Sequence, residues 1–210
     1  MRYYLKPPLS RSNWRDLQVM RVNDMEKAQQ EFKGQQLQKN KAYFEELSKG
    51  QSPTFYVLAC CDSRTSPTTV TGQPLGRLFI HRNIANQIVE GDASVESSLY
   101  YAINVLKVHY ILILGHTHCG GVQATKAEPH PEVLENWIQH VRTSVSGFEG
   151  EIPEDGETLE RYNVQQQVHN VQQLDVYKQA ERQVPVFGAL FHIENGELEW
   201  VVKPEEDIVE

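Results

Sequence analysis

Apolar and polar residues follow two rhythms along this chain. Residues 24–49 have a helix-forming composition. Asn23 and Asp24 stand as candidate N-caps, Gly34 as the expected break, and Gly50 and Pro53 as the close. Thr54 to Ala59 (TFYVLA) reads as a buried strand and Leu78 to His81 as a second short one. Val95, Leu99, Ile103 and Leu106 then recur at helical spacing behind Asp92 or Ser94 as cap. Tyr110 to Leu114 (YILIL) is a continuous apolar run ending at Gly115, the pattern of a strand covered on both faces of a parallel sheet. Glu132 to Arg142 predicts a helix, residues 144–157 an acidic loop, and Val164, Val168, Val171 and Leu174 a further amphipathic helix. Val186 to Ile193 and Glu197 to Val202 flank Asn195-Gly196, a hairpin pattern.

Strands alternating with helices predict an α/β fold: a mainly parallel central sheet with an antiparallel edge strand, flanked by helices and preceded by a helical arm. The chain contains no internal repeat and no interdomain linker, so one domain over residues 1–210 is expected. Within it, 1–50 form the arm and its helices, 51–203 the α/β core and 204–210 an acidic tail.

Charge narrows the partners. The 20 basic and 28 acidic residues give a net charge of −8, which excludes a general nucleic-acid binder, because phosphate contacts need clustered Lys and Arg. No apolar run approaches the ~20 residues that span a bilayer, so no membrane association is expected. Residues 1–13 lack the apolar stretch of a secretory signal. The three cysteines, Cys60, Cys61 and Cys119, are too few and odd in number for a disulfide framework. They read either as buried free thiols or as metal ligands in a reducing compartment. The cytoplasm is the expected location, or an organelle matrix of similar redox poise.

Two loops carry candidate chemistry. One follows the strand ending at Ala59 and reads Cys60-Cys61-Asp62-Ser63-Arg64; the other follows Leu114 and reads Gly115-His116-Thr117-His118-Cys119-Gly120-Gly121. Open α/β sheets place their sites at the carboxyl ends of parallel strands, where such loops converge. Two thiolates and one imidazole are the donors zinc prefers, and three protein ligands with an open fourth position mark a catalytic site. Cys61 is disfavoured as a ligand because neighbours on an extended chain point apart. His116 and His118 compete for the imidazole position. Asp62 and Arg64, at alternate positions of a strand end, can face one side. They read either as a surface ion pair worth little or as a carboxylate fixed by a bidentate guanidinium, able to accept a proton from metal-activated water or to ligate the metal itself.

Cys60-x-Asp62-x-Arg64 with His116-x-x-Cys119-Gly120-Gly121 resembles the paired signature of β-class carbonic anhydrases, from about Ser48 to Gln123. Arg82-Asn83-Ile84-Ala85-Asn86 resembles a further family segment, and similarity continues more weakly to the Asn195 hairpin. The resemblance implies one zinc per chain on Cys60, His116 and Cys119, with Asp62 and Arg64 in catalysis. It also implies hydration of carbon dioxide to bicarbonate, and a homodimer or higher homo-oligomer that builds part of each pocket across its interface.

Lys49-Gly50-Gln51-Ser52-Pro53 is similar to the plant-type form of the family. That likeness implies Gln51 as a substrate hydrogen-bonder, with Phe79 and Tyr101 as aromatic pocket residues. A backbone N–H near Gly120 would hold an oxygen, and Val57 joins the aromatic pair as a candidate dry wall. The allosteric bacterial form pairs a Trp, an Arg and a Tyr around inhibitory bicarbonate. Here Val57 and Phe191 replace two of the three and Arg82 alone remains, so a non-allosteric pocket is expected. The alternatives are hydrolysis of carbon disulfide or carbonyl sulfide on the same zinc, and a catalytically silent zinc protein. The second would leave Asp62, Arg64 and Gln51 free to vary, and all three match the family. Cys60-Cys61 is not the C-x-x-C of a redox motif, and Gly115 to Gly121 does not spell a dinucleotide loop.

Overall fold

The computed structural model describes residues 21–126, 130–148 and 157–203. The expected arm before residue 21, the middle of the expected acidic loop and the acidic tail from 204 lie outside these described residues. The chain falls into two compact units, residues 1–50 and 51–210.

The first unit holds α1 (Val22–Lys39) and α2 (Tyr43–Ser48). Arg21, not Asn23 or Asp24, is the N-cap of α1. Asp24 sits one turn in, its carboxylate accepting the Arg21 amide at 3.1 Å. Gly34 does not break the helix, because about 1 kcal/mol against Ala is absorbed by 18 residues of continuous bonding. The break comes at Asn40, which turns extended and accepts the Ala42 amide on its side chain at 2.9 Å, a local bond that competes with the helix.

The second unit is a five-stranded sheet in the order β2-β1-β3-β4-β5. Its strands are β1 (Phe55–Cys60), β2 (Leu78–Asn83), β3 (Tyr110–His116), β4 (Val186–Phe191) and β5 (Leu198–Val202). The first four run parallel and β5 antiparallel to β4, as the sequence pattern predicts. β2 runs two residues beyond the expected His81, because Arg82 and Asn83 pair with Ala59 and Cys60. The hairpin is wider than a two-residue turn: β4 stops at Phe191 and β5 starts at Leu198, with the His192 amide bonded to the Glu197 carbonyl at 2.9 Å between them.

The helices of this unit are α3 (Pro67–Val70), α4 (Ala93–Tyr100), α5 (Gly120–Gln123), α6 (Glu132–Val145), α7 (Glu157–Gln173) and α8 (Asp175–Lys178). Asp92 caps α4, accepting the amides of Ser94 and Val95. The helix then widens into a π turn over Tyr101–Val105, with the Leu106 amide on the Tyr101 carbonyl at 2.9 Å. One sheet face, through Tyr56, Leu58, Ile111 and Ile113, packs on Val95 and Leu99 of α4 and Val164 and Val168 of α7. The other carries Val57, Ala59, Leu112, Leu114, Phe187 and Ala189. Gly115 lets α7 approach β3, because a Cβ there would strike Val164. A third cluster places Cys60 and Cys119 with Val122 of α5, Ile138 and Val141 of α6, and Leu159 of α7.

Candidate metal centre

β1 and β3 are parallel neighbours with Ala59 opposite Leu114, so their carboxyl ends bring both ligand loops together. Cys60 ends β1, His116 ends β3 and Cys119 is the N-cap of α5. All three are buried, and their ligand atoms lie within 4.8 Å of one another. The sulfurs of Cys60 and Cys119 are 3.9 Å apart. Two thiolates on one tetrahedral zinc, at about 2.3 Å each, would stand roughly 3.8 Å apart. His116 places Nδ1 2.8 Å from the Thr117 carbonyl, while its Nε2 is buried without a partner. A ring whose Nδ1–H is held by a carbonyl presents a bare Nε2, the arrangement of a metal-ligating imidazole.

The backbone around the sulfurs favours thiolates. The backbone amides of Val122 and Gly121 pull the Cys119 thiol down against its larger upward influences, and the Ala85 amide donates to Cys60 Sγ at 3.4 Å. Two buried sulfurs this close cannot both ionise freely. Their mutual hydrogen bond lowers Cys60 against the effect of burial, and raises Cys119 together with it. Burial depresses His116, but Cys60, the Thr117 backbone and Asp62 together outweigh it and the imidazole is raised. Cys60, Cys119 and His116 would hold a dication as two thiolates and a neutral imidazole, which would remove this conflict. Gly121 is needed here, since a Cβ would lie 2.6 Å from Ile84 Cγ2 and 3.0 Å from Ala85 Cβ.

Asp62 and Arg64 meet in a turn beyond β1 rather than on a strand end. Arg64 donates from Nε to Oδ1 at 2.9 Å and from Nη2 to Oδ2 at 2.6 Å, with its own amide on Oδ1 at 2.9 Å. Nη2 also reaches the His118 carbonyl at 3.3 Å, tying the two loops together. Asp62 Oδ2 lies 4.0 Å from His116 Nε2. Arg82 braces the first loop, donating to the carbonyls of Cys60 and Asp62 at 2.8 Å each.

The remaining sequence-predicted residues fall elsewhere. Cys61 and His118 are exposed, and His118 Nε2 lies 3.8 Å from Glu194 rather than joining the cluster. Gly120 heads α5 beside Cys119 and is exposed. Gln51 lies before the amino end of β1, a strand roughly 17 Å long whose other end is Cys60. Phe79 pairs with Tyr56 near that same end and touches Tyr101, ring centroids 5.8 Å apart. Val57 is wholly buried in the core of its sheet face, so within one chain it is packing rather than pocket wall.

Sequence reasoning missed Glu160, buried on α7 with Oε1 accepting the Cys119 amide at 2.5 Å. Burial, only partly offset by the amides of Cys119 and His118, pushes its carboxyl up to about 7. It also missed the left-handed Ala85. Polar residues inside the apolar stripe of α7 were the available signal for the first; nothing local marked the second.

An N/S donor trio of this spacing, with an arginine-fixed carboxylate beside it, has the donor set of a catalytic zinc protein on a mainly parallel α/β sheet. Residues 55–198 match the family described as carbonic anhydrase. A carbonic anhydrase of Emericella nidulans is 35% identical over 163 residues, covering 73% of this chain and 72% of that protein. The β-carbonic anhydrase of Coccomyxa superposes with a TM-score of 0.81 at 25% identity, covering 88% of each chain. A tetrameric β-carbonic anhydrase of Sordaria macrospora gives 0.75 at 27%, covering 83% of this chain and 93% of that one. The chain belongs to the β-class carbonic anhydrases, zinc enzymes that catalyse the reversible hydration of carbon dioxide to bicarbonate.

Proposed function

We propose that Cys60, His116 and Cys119 hold the zinc and that Asp62, fixed by Arg64, orients the attacking water. The observation that carries this reading is the bare, buried Nε2 of His116 facing two sulfurs 3.9 Å apart. Bound zinc supplies the Lewis acidity that makes water a nucleophile near neutral pH. The chain's own residues do the rest. Arg64 keeps the Asp62 carboxylate ionised and aimed, Arg82 holds the loop, and the N–H of Gly120, next to Cys119, would receive a developing oxygen charge.

Cys60 ends β1 at the carboxyl end of the sheet, whereas Gln51 precedes β1, and Phe79, with Tyr101 against it, sits toward the amino end. We infer that a second copy brings them, in a homo-oligomer. Ile80, Ile84 and Tyr101 support this reading, being large apolar side chains 36%, 38% and 43% exposed on or near the β2 edge. Among the described residues no helix is long and apolar enough to cross a membrane. Three free cysteines agree with a reducing compartment, and the cytoplasm or an organelle matrix is proposed. The test is carbon dioxide hydration by zinc-loaded protein of known oligomeric state, run beside carbonyl sulfide and carbon disulfide. Hydration by an oligomer, lowered in Gln51→Ala without loss of zinc, is expected. Full activity in a strict monomer, or turnover of the sulfur substrates alone, would contradict it.

A further inference from the structure

Helix α7 carries polar side chains where an amphipathic helix carries core. Glu160, Asn163 and Gln167 share one face at helical spacing and are 2%, 1% and 0% exposed. Burying three such groups is unfavourable unless each ends on a partner. Two of them end on the supports of the two thiolate ligands. Glu160 Oε1 accepts the amide of Cys119 itself at 2.5 Å. Its Oε2 is buried without a partner, so among the described residues that carboxylate is bonded only to the ligand loop.

Asn163 Nδ2 donates to the Ala85 carbonyl at 3.1 Å, and the Ala85 amide donates to Cys60 Sγ at 3.4 Å. Ala85 and Asn86 hold φ of 63° and 49°, left-handed values that residues with a Cβ keep only when their surroundings over-determine them. The surroundings here are amide side chains. Gln87 Nε2 donates to the same Ala85 carbonyl at 2.7 Å and to Asn163 Oδ1 at 2.8 Å, and Gln167 Oε1 takes the Ile88 amide at 2.7 Å.

We propose that Glu160 and Asn163 are positioning residues for the metal: one face of α7 fixes the direction of the Cys119 thiolate through the first and of the Cys60 thiolate through the second. The proposal rests on Cys60, His116 and Cys119 being the zinc ligands. It requires an acceptor oxygen at the reach of the Glu160 side chain, and it does not require the charge.

Glu160→Gln and Glu160→Asp separate reach from charge. The readouts are zinc affinity by chelator competition and the sulfur-to-metal charge-transfer bands of cobalt-loaded protein. Glu160→Gln keeps the oxygen in place and should bind zinc within about threefold of wild type, with unchanged bands. Glu160→Asp is one methylene short and should lose roughly 10–100-fold in affinity, with shifted bands. Asn163→Leu, which removes the donor to Ala85, should do the same. The reverse order, with Asp intact and Gln weakened, overturns the proposal in favour of a charge effect. Wild-type affinity and bands in both Glu160→Asp and Asn163→Leu overturn it in favour of a purely structural role. If Glu160→Asp is not recovered folded, Glu160→Gln and Asn163→Leu decide by the same criteria. Wild-type protein that takes up neither zinc nor cobalt would instead sink the metal-site reading on which the proposal stands.

Discussion

Arg64 grips the Asp62 carboxylate by both oxygens, at 2.9 and 2.6 Å. Its hydrogen bonds outweigh partial burial and hold Asp62 at about 2. A group this acidic is a poor proton acceptor near neutral pH, where efficient bases have a pKa close to the working pH. Orientation of water is therefore the better role. Asp62→Asn should lower kcat/KM for hydration about 10²-fold, the scale of lost positioning, with zinc content unchanged. The acid limb of the pH–rate profile should stay in place, because Asp62 does not titrate there. A limb that moves with this substitution would show Asp62 acting as the base.

Bicarbonate should inhibit hyperbolically. Val57 and Phe191 offer no hydrogen-bond donor from their side chains, and two Arg82 nitrogens already hold the carbonyls of Cys60 and Asp62. His81 is engaged with Ser98, and His192 with Glu199. An anion brought between these groups would be poorly paired, which is unfavourable in a partly buried site. Rates measured against bicarbonate concentration check this: a sigmoidal curve, or a crystal near neutral pH with Asp62 moved off Arg64 onto zinc, contradicts it.

His116 and His118 separate by metal retention. His116→Ala should lose zinc, whereas His118→Ala should keep full occupancy, since His118 is exposed beside Glu194. Metal analysis of the two variants showing the reverse would reassign the ligand.

Arg161 joins Glu157 and Glu199 across α7 and β5, at 3.0 and 2.8 Å. The Arg161 hydrogen bonds, against partial burial, lower Glu199 to about 2. A depressed carboxylate stabilises the fold above its ordinary range, and that share is lost as pH falls from about 4.5 toward 2. Burial pulls His192 down, but hydrogen bonds with Glu199 and Glu194 outweigh it and raise it. Its share is therefore complete below the ordinary histidine value of 6.5 and fades as pH rises through the raised one. Ion pairs this exposed are worth about 1 kcal/mol, or roughly 2–4 °C for a chain of this size. Glu199→Gln should lower Tm by that amount at neutral pH, with the gap from wild type narrowing below the carboxylate range. Thermal melts across pH check it, and a gap that widens in acid contradicts it.

The strand cores were legible because β1 and β3 are covered on both faces and spell continuous apolar runs. The ligands were legible because each loop begins where its strand stops. Gly34 misled, since one glycine is a weak breaker against long-range helical bonding, while Asn40 ends α1 by a side-chain bond that composition does not announce. The support of the site was hidden for a different reason. Ala85 is an ordinary residue in an unusual conformation imposed by Gln87 and Asn163, the latter from a distant helix, and Glu160 acts on Cys119 across 41 positions of sequence. Gln51, Phe79 and Tyr101 could be named from resemblance, but no pattern within one chain shows that they lie toward the amino end of the sheet, opposite the Cys60 end of β1.

Zinc content and carbon dioxide hydration measured together, in wild type and in Cys119→Ala, bear most directly on the site. Wild type should carry one zinc per chain and hydrate carbon dioxide at mildly alkaline pH. Cys119→Ala should lose both, and should melt at lower temperature as well, because metal binding energy is folding energy. Full zinc occupancy with full hydration in Cys119→Ala would contradict the assignment.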